Sequence, residues 1–540
     1  MAGIPLLDST ILHILRKALE FAGERDVTPI ATIRENTAAL INWLDDHTPK
    51  RPESETRQTG VLVVRAGTDG KPGPAQVRAY PAFERSCGGY TPARDGRIEF
   101  WRAQTDENGG AELRLPAGQP LLIEVTRGYH VSTAARVVEL QRDAPTVLHA
   151  NLTTLVNLRA RGILCGDMHH HSIYSSPAYG GTDHVVDTAA DVYGSMRAAG
   201  LDFGALSDHH NTLNHEVWQS FANDEFTPII SKEISTSNGH VNQHGVPEDV
   251  IYRIPNAGER TDAYLLAEHK FVAGRIRDLG GFPVINHPRV WQEAIRFPEQ
   301  FTDSLPFFEG MEVWNGATPY LPGFPNDLAF QLWRDRLDHG VYLPAVCGSD
   351  THDIHAGGYR TICGALRSIR DRGGDVYGEM PEVARRGYDW IANAREAALT
   401  LYETWAEQSL GTGCARNMVS TAATDAAGIL DAMRHGRNTL TNGPLMFVRV
   451  NGAEPGETAS PAGSHAVRIE LYAKKPLHTL KLLGRGAEMD IPLKTRGMGK
   501  GVMDYSVSLD DADLGDTDYI VAIADGGVTN MAIANPVFVK

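Results

Sequence analysis

The stretch Cys165-Gly166-Asp167-Met168-His169-His170-His171-Ser172 indicates both the fold and the chemistry of this 540-residue chain. Apolar residues lead into it, which predicts that Asp167 to His171 lies at the end of a β-strand. Side chains alternate between faces along a strand, so His169 and His171 share one face and His170 points away. Two imidazoles at that spacing can bind one cation, with Asp167 orienting them. A histidine-rich surface turn is the alternative that this stretch alone leaves open.

The composition is that of a globular protein, with 42% hydrophobic and 22% charged residues. The formal net charge of −16 argues against a nucleic-acid binder, because such a protein needs a basic surface to neutralise phosphates. An acidic chain suits a protein whose carboxylate and imidazole groups hold cations.

The five cysteines are scattered and form no Cys-x-x-Cys pair, so neither a disulfide framework nor a thiolate zinc site is expected. The N-terminus lacks the pattern of a secretion signal. No run of apolar residues approaches the roughly 20 that a membrane span needs. These features predict a cytoplasmic protein that binds neither membranes nor nucleic acids.

Shifts in pattern divide the chain into four regions. Residues 1–59 combine two amphipathic helices with a polar, proline-containing linker. Residues 60–153 consist of short alternating runs separated by turns, which predicts an antiparallel β-sandwich. Strand and helix signals alternate over 154–444, as in α/β barrels, and β patterning returns over 445–540 as a second sandwich. The predicted fold class is therefore α/β, with a barrel flanked by two β-sandwich domains.

One segment interrupts the alternation within the third region. Residues 367–420 are charged and predict a largely helical insertion outside the strand order of the barrel. Such an insertion could be a lid or the contact of a homo-oligomer. A solvated insertion without either role is the other interpretation.

Further strand-end motifs repeat the theme of the opening stretch. They are Ser207-Asp208-His209, Glu233 with Gly239-His240, Asn286-His287-Pro288, Glu312-Val313-Trp314-Asn315-Gly316 and Gly348-Ser349-Asp350-Thr351-His352. In an α/β barrel the ends of successive strands meet on one face, so the groups they carry converge. The predicted metal ligands are His169, His171, His209, Glu233, His240, His287, Asp350 and His352.

Eight ligand-type side chains exceed the needs of one ion, because a catalytic zinc takes about three protein ligands and a water. Two or three divalent ions per chain are therefore expected, with manganese, zinc and iron as the candidates. Glu233 is the predicted bridge, since one carboxylate can bind two cations roughly 3.5–4 Å apart and one imidazole nitrogen cannot.

These motifs, in this order, resemble those of the polymerase and histidinol phosphatase (PHP) superfamily. The resemblance implies a distorted seven-stranded (β/α)7 barrel that carries a multinuclear metal site. Three runs resemble those of the carbaryl-hydrolase-like (CehA/McbA) branch. They are Gly200-Leu201-Asp202-Phe203, the run from Glu312 to Gly316, and residues 436–444. In that branch a prealbumin-like sandwich precedes the barrel, and a β-rich tail ending like Ala534-Asn535-Pro536 follows it. The resemblance covers about residues 60–540, apart from the insertion.

The resemblance also implies how the ligands are shared among ions. The first ion would take His169, His171, Glu233 and Asp350, the second Glu233, His240 and His287, and the third His209 and His352. The chain departs from the family pattern at the third ion. Several relatives supply a ligand at the position of Pro177, and the acid that often precedes it is Ser176 here. Asp208, His184 or a water molecule could complete that shell.

The predicted reaction is hydrolysis of an ester-type bond in a small molecule by a hydroxide that bridges two metal ions. Glu233, Asp350 and Arg289 are the predicted catalytic residues, with Arg289 holding a substrate anion or leaving group; Asn315 and Arg360 are weaker candidates for that role. The superfamily implies phosphoesters, whereas the carbaryl-hydrolase branch implies carbamates or carboxylic esters, and the ligands do not discriminate between them.

A different class of function is a degenerate barrel retained as a binding or scaffold module. Loss of the bridging ligands would mark such a protein, and Glu233, His287 and Asp350 are all present. Three serines, Ser172, Ser207 and Ser349, lie beside metal candidates. No nucleophile elbow accompanies them, so a supporting role is expected for each.

Overall fold

The computed structural model describes residues 59–84, 90–92, 101–181, 183, 185–254, 261–290, 296–316, 320, 322–355, 369, 372–375, 411–460, 464–493, 497–499, 502–527 and 529–539. The predicted N-terminal helices and Arg360 lie outside these residues. The chain divides into two compact units, one of residues 1–126, 133–152 and 353–408, and one of residues 127–132, 153–352 and 409–540. No helix in the described ranges is long and apolar enough to cross a membrane.

The first unit consists of short strands with alternating burial. They are β1 Thr59–Thr68, β2 Lys71–Pro72, β3 Gln76–Glu84, β4 Tyr90–Pro92, β5 Trp101–Gln104, β6 Gly110–Pro116, β7 Pro120–Thr126, β8 Thr133–Glu139 and β9 Thr146–Leu152. One sheet has the order β2-β1-β6 with β9 parallel to β1, and the other has the order β4-β3-β7-β8 with β5 beside β3. Alternate side chains of β1 and β7 are buried, so one face of each sheet forms interior, as a sandwich requires.

The second unit begins with alternating strands and helices. They are β10 Ile163–Asp167, α1 Ala189–Ala198, β11 Phe203–Leu206, α2 His215–Gln219, β12 Thr227–Ile230, β13 Glu233–Ser235, β14 His240–His244, α3 Asp262–Asp278, β15 Phe282–Asn286, β16 Gly310–Asn315, α4 Pro325–Asp338 and β17 Ala345–Gly348. Helix α1 has clear end signals, because Thr188 and Asp191 form a capping box at its start and Gly200, at φ 72°, follows its end.

The remainder of the second unit is mainly strand. Its elements are β18 Arg416–Ser420, α5 Ala426–Arg434, β19 Asn438–Thr441, β20 Leu445–Val450, β21 Val467–Ala473, β22 Thr479–Gly484, β23 Ala487–Pro492, β24 Gly497–Gly499, β25 Val502–Leu509, β26 Tyr519–Asp525, β27 Met531–Ala534 and β28 Val537–Phe538. The chain is thus a mixed α/β protein rich in sheet, as predicted. Closure into a seven-stranded barrel and the four domain boundaries stay predictions.

Three sheets organise these strands. The largest has the order β12-β11-β10-β18-β19-β27-β26-β22-β23, with β28 beside β26. A second has the order β13-β14-β15-β16-β17, and a third the order β20-β21-β25-β24. Because β19 pairs with β27, the largest sheet continues across residue 444, where the sequence predicted a domain boundary.

The predicted insertion over 367–420 extends too far. Arg416–Ser420 forms β18, which pairs with β10 on one side and β19 on the other. The prediction that this whole segment lies outside the strand order is therefore wrong for its last residues. Residues 376–410 lie outside the described ranges.

The two sheets that carry the motifs share one interior. Leu164 of β10, Phe203 of β11, Val284 of β15, Val346 of β17 and Val419 of β18 belong to a single buried cluster. Isolated backbone bridges also join the sheets, between His170 and Thr351 and between His209 and Glu233. The strand ends of both sheets therefore surround one space above this apolar layer.

Asparagine side chains replace ladder hydrogen bonds between β17 and its neighbours. Asn417 accepts from the N–H of Cys347 at 3.2 Å and donates to its carbonyl at 2.7 Å. Asn535 does the same for the N–H and carbonyl of Ala345, at 2.8 and 2.9 Å, and Asn438 also donates to that carbonyl. All three asparagines are buried. Their amides satisfy the edge of β17, where an unpaired backbone group would be costly.

Replacing Asn417 by alanine should lower the free energy of unfolding by about 2 to 4 kcal/mol, because the N–H and carbonyl of Cys347 would both lose a buried partner. Urea unfolding followed by tryptophan fluorescence measures the loss. As a control, Asn108→Ala in an exposed turn should change stability by less than about 0.5 kcal/mol. Equal stability of the Asn417→Ala and Asn108→Ala variants would show that this edge does not depend on the asparagine.

Candidate metal centre

All eight predicted ligands meet in one cluster at the strand ends. β10 leads into His169 and His171, β11 into His209, β15 into His287, and β17 into Asp350 and His352, while Glu233 and His240 begin β13 and β14. Seven of the eight lie within 3.3 Å of another of the eight, and His352 lies 3.6 Å from Asp350 and closer to Asp183. The pairs within 3.3 Å include His169 with His171, His287 with Glu233 and His352 with Asp183. Most of the cluster is fully buried, but the side chain of His352 is 37% exposed, so the cluster opens to solvent on that side.

The first group consists of His169, His171, Glu233 and Asp350, as the sequence predicted. Nε2 of His169 lies 3.2 Å from Nε2 of His171, 3.3 Å from Oε2 of Glu233 and 3.3 Å from Oδ1 of Asp350. Nε2 of His171 lies 3.3 Å from the same oxygen of Glu233 and 3.1 Å from that of Asp350. Four ligand atoms thus face one another around a small space.

Glu233 directs its two oxygens to different imidazoles. Oε2 faces His169, His171 and His209, each at 3.3 Å, whereas Oε1 faces His240 at 3.0 Å and His287 at 3.1 Å. The N–H of the Asn286 amide donates to Oε1 at 2.7 Å and fixes the rotation of the carboxylate. A carboxylate in this position can serve two cations at once.

A third group forms around a residue that the sequence did not predict. Oδ2 of Asp183 lies 2.8 Å from Nε2 of His209 and 3.0 Å from Nε2 of His352, and His171 completes the group. Asp183 lies six residues beyond Pro177, in a loop without a periodic pattern. A carboxylate close to the opening motif was the one available signal.

Asp208 is not the ligand that completes this third group. It accepts hydrogen bonds from the backbone N–H and hydroxyl of Ser172, from the hydroxyl of Ser175 and from the amide of Asn214. Both carboxylate oxygens of Asp208 therefore already accept hydrogen bonds. This residue supports the loops around the cluster. The other candidate, His184, lies outside the described residues.

Asp167 does not orient the imidazoles as predicted. Its carboxylate accepts from the backbone N–H groups of His169, Ser349 and Gly413, so it fixes three loops at the strand end. The partner of His169 is Glu312, whose Oε1 lies 3.0 Å from Nδ1 of that ring. The carboxylate of Asp167 thus pairs with backbone amides and not with an imidazole. Sequence spacing does not reveal which of these partners it takes.

Glu312 begins the one strand-end motif that contributes no residue to the predicted ligand set. Its second oxygen accepts from the backbone N–H of His287 at 2.7 Å and from the amide of Asn315 at 3.0 Å. The same amide of Asn315 also lies 3.0 Å from Oδ2 of Asp350. Asn315 therefore orients two carboxylates, and the prediction that it holds a substrate anion is not supported. Arg289 is half-buried, and its catalytic role stays a prediction.

The hydrogen bonds fix which ring nitrogen faces the cluster, and in the neutral rings that inner nitrogen carries the lone pair. Nδ1 of His169 donates to the Glu312 carboxylate, and Nδ1 of His171 donates to the Ser175 hydroxyl, which itself donates to Asp208. Both Nε2 atoms therefore face each other as acceptors in the neutral rings. Oδ1 of Asp350, also buried there, has no hydrogen-bond donor among the described residues. Converging acceptors of this kind fit divalent cations.

Two ligands occupy strained backbone. Asp350 has a φ of 51° and His287 a φ of 27°, values in the left-handed region that residues other than glycine seldom adopt. Such a conformation costs on the order of 1–3 kcal/mol and persists only where the surroundings hold it. Here the N–H of Asp350 donates to the carbonyl of His169, and the N–H of His287 donates to Glu312. The strain directs both side chains into the cluster.

The charges of the cluster stabilise one another. Burial would raise the pKa of Glu233, but His169, His209 and His240 outweigh it and hold that pKa well below its usual value. Burial would lower the pKa of His169, yet Asp350, Glu233 and Glu312 raise it well above the ordinary value. Carboxylates that stay ionised and imidazoles that attract positive charge form a site for cations, with protons as the competitors.

Comparisons with known proteins add little to this geometry. No family model and no curated protein matches the chain. Among solved structures, the chain is similar to a two-domain protein from Bacteroides vulgatus that contains a predicted PHP-like metal-dependent phosphoesterase, with 14% identity, a TM-score of 0.33, and 70% of this chain and 94% of that one covered. It is also similar to a proposed metal-dependent phosphoesterase from Bifidobacterium adolescentis, with 15% identity, a TM-score of 0.26, and 35% and 87% of the two chains covered. TM-scores this low do not establish a common fold.

Metal binding should release protons and should strengthen as the pH rises. Carboxylates around His209 and His352 overcome the effect of burial and raise the pKa of each to about 9, so both rings are protonated at neutral pH without metal. A cation must displace these protons, so its affinity increases with pH until about pH 9. Calorimetric titration with Mn²⁺ or Zn²⁺ in buffers of different ionisation enthalpy measures the protons released. Binding without proton release, and with the same affinity at about pH 6 and pH 8, would contradict this account.

Proposed function

We propose that this chain is a metal-dependent hydrolase of the PHP superfamily, from its carbaryl-hydrolase-like branch, that cleaves an ester-type bond of a small molecule. The observation that carries the proposal is the position of the Glu233 carboxylate, with three imidazoles facing one oxygen and two facing the other. Two adjoining shells that share one carboxylate are the arrangement of a dinuclear hydrolytic site.

The ligand groups suggest how the ions would be held. His169, His171, Glu233 and Asp350 would hold one ion, and Glu233, His240 and His287 would hold another, with His209 close to both Glu233 and Asp183. A third ion would lie among His171, Asp183, His209 and His352. When bound, such cations polarise a phosphoryl or carbonyl oxygen and increase the acidity of water.

The chain's own residues define where a substrate meets this centre. Glu233 is 1% exposed, whereas the side chains of Asp183 and His352 are 32% and 37% exposed. The deep side of the cluster thus fixes the ligands, and the side with Asp183 and His352 is the one open to a substrate. Arg289, which follows His287 by two residues, is the proposed partner of an anionic substrate group.

The serines beside the cluster support it and do not act as nucleophiles in this proposal. Ser172 donates to Asp208, while Ser207 and Ser349 donate to the carbonyls of His170 and His169. Their hydroxyl protons are held by groups that fix the loops. No base relay toward a serine is present among these contacts, which favours water as the nucleophile.

The substrate class within the proposal is a phosphoester, a carbamate or a carboxylic ester. The scaffold alternative would require loss of the bridging ligands, and the clustering of all eight predicted ligands weighs against it. Cytoplasmic location and assembly into a homo-oligomer stay predictions.

Replacing Glu233 by glutamine should remove metal as well as activity. Glutamine keeps the shape of the side chain but loses the charge that faces five imidazoles, so the loss should exceed the roughly 10–100-fold typical of a supporting residue. Elemental analysis should give at least two divalent ions per wild-type chain and fewer in the variant. Turnover is measured on nitrophenyl phosphate, bis-nitrophenyl phosphate, a nitrophenyl ester and an aryl carbamate.

Two further variants make the comparison specific. Glu216→Gln, on the exposed surface of α2, makes the same chemical change and should leave metal content and turnover unchanged. Asp183→Asn should weaken the outer group while the two ions that share Glu233 remain. A Glu233→Gln variant with two bound ions and near-normal turnover would sink the bridging role, and a wild-type chain with less than one ion would sink the proposed function.

A further inference from the structure

A second cavity lies at the other end of β10 from the metal centre. It measures about 390 Å³ and is lined by residues of β18, β19, β20 and β21, together with Arg161 and Ile163. Ile163 is the first residue of β10, whereas the cluster of histidines follows its last residue. A cavity of this volume suits a small molecule. It is therefore separate from the candidate metal centre.

The charge of this cavity is opposite to that of the chain. Four arginines line it, Arg161, Arg437, Arg449 and Arg468, and the acidic residues among its lining are Glu454 and Glu470. The lining thus carries two positive charges more than negative ones, in a chain with a formal charge of −16. Local charge, rather than the total, determines which ligand a cavity attracts.

Three of the arginines are already held by partners. Arg161 donates to Glu470 at 2.9 Å and lies over the ring of Phe447, with 4.5 Å between guanidinium and ring centre. Arg449 donates to Glu454 at 2.9 Å. Arg468 donates to Asp510, which lies outside the lining, at 2.8 Å. Each of these three charges is balanced by a carboxylate, so the unbalanced positive charge of the lining is that of Arg437.

Arg437 differs from the other three. Its side chain is exposed and forms neither a hydrogen bond nor an ion pair with any residue in the described part of the chain. All five N–H donors of its guanidinium are thus available for a planar oxyanion.

Besides Arg437, the run 436–444 contributes the polar residues Asn438 and Thr439 to the lining. Asn438 donates to Ala345 and Asn417, Thr441 donates to the carbonyl of Pro444, and Asn442 accepts from the N–H of Met531. These residues join strands. Arg437 is the charged residue of this run, and it lines the cavity without a side-chain partner in the described part of the chain.

The remaining lining is apolar. Met418, Met446, Phe447 and Val448 contribute to it, with Ile163 and Pro455 beside them. Met418 and Met446 are buried in apolar clusters, so Phe447, which is half-buried, is the apolar side chain of this set that is open to a ligand. A ligand that uses both parts of the cavity needs an oxyanion for the arginines and an apolar body for this surface.

We propose that this cavity is a binding site for a small organic oxyanion, a carboxylate or phosphate group on a compact apolar body. The oxyanion is held by the guanidinium of Arg437 beside the three paired arginines, and the apolar body contacts Phe447. The site does not depend on the proposed hydrolase activity.

Phenylphosphonate and benzoate are suitable probes, because neither contains an ester bond to be hydrolysed. Calorimetric titration of the full chain should show saturable binding of one phenylphosphonate or benzoate per cavity. Inorganic phosphate should bind more weakly because it lacks the apolar body, and benzyl alcohol should bind more weakly because it lacks the charge. Stronger binding of phenylphosphonate than of benzoate would assign the natural ligand to phosphates, and the reverse order to carboxylates.

Arg437→Ala should weaken binding about 10- to 100-fold, the effect of losing charge-assisted hydrogen bonds to one guanidinium. Arg437→Lys keeps the charge but not the planar pair of donors, and should recover part of the affinity. Arg336→Ala is the control, because it removes the same charge from a half-buried arginine of α4 that pairs with Asp335 and does not line the cavity. Its affinity should change less than about twofold.

Three results would overturn the proposal. Unchanged affinity in Arg437→Ala would place the probe elsewhere, including at the metal centre. Equal losses of affinity in Arg437→Ala and Arg336→Ala would show that the effect comes from the total charge of the chain and not from the cavity. Absence of saturable binding of either aromatic probe to the wild-type chain would remove the site altogether.

Discussion

The burial of the Glu233 carboxylate is the constraint on which the rest of the site depends. A carboxylate removed from water needs compensating positive charge or donors, and Asn286 supplies one donor to one of its oxygens. Five imidazoles supply the remainder, and they can do so as protonated rings or as ligands of shared cations. His169 and His171 are held in an orientation in which, once the rings are neutral, their inner nitrogens can only accept. Cations therefore satisfy the carboxylate and the rings together, which protons do only in part.

The fold makes this arrangement possible by bringing the ends of two sheets together. An apolar layer shared by the sheets lies below the ligands, and buried asparagines complete the edge between them. Asn438 lies in the run 436–444 and Asn535 in the run 534–536. Their side chains form a hydrogen bond of 2.9 Å beside β17. The asparagines of both runs therefore satisfy backbone groups at the edge of β17. Asp350 lies just past the end of β17, so the same edge determines where one ligand begins.

The convergence of the eight ligand-type side chains could be predicted because strand ends are marked by apolar runs, and residues that follow such runs meet whatever the details of the loops. Asp183 was missed because it lies in a loop, where no periodicity places a side chain. Asp167 was assigned to the wrong partner, since backbone amides compete for a carboxylate and leave no mark in the spacing. The strand Arg416–Ser420 was absorbed into the predicted insertion because its pairing is entirely with distant segments. Long-range contacts of this kind separate what a local pattern can predict from what it cannot.

The most direct test is an anomalous-difference map from crystals of the chain loaded with Mn²⁺. The account predicts one peak among His169, His171, Glu233 and Asp350 and a second beside His240 and His287, with one oxygen of Glu233 directed to each peak. A third peak beside Asp183 would extend the centre without altering the bridge. A single peak that contacts only one side of Glu233, or peaks that do not contact Glu233, would contradict the account.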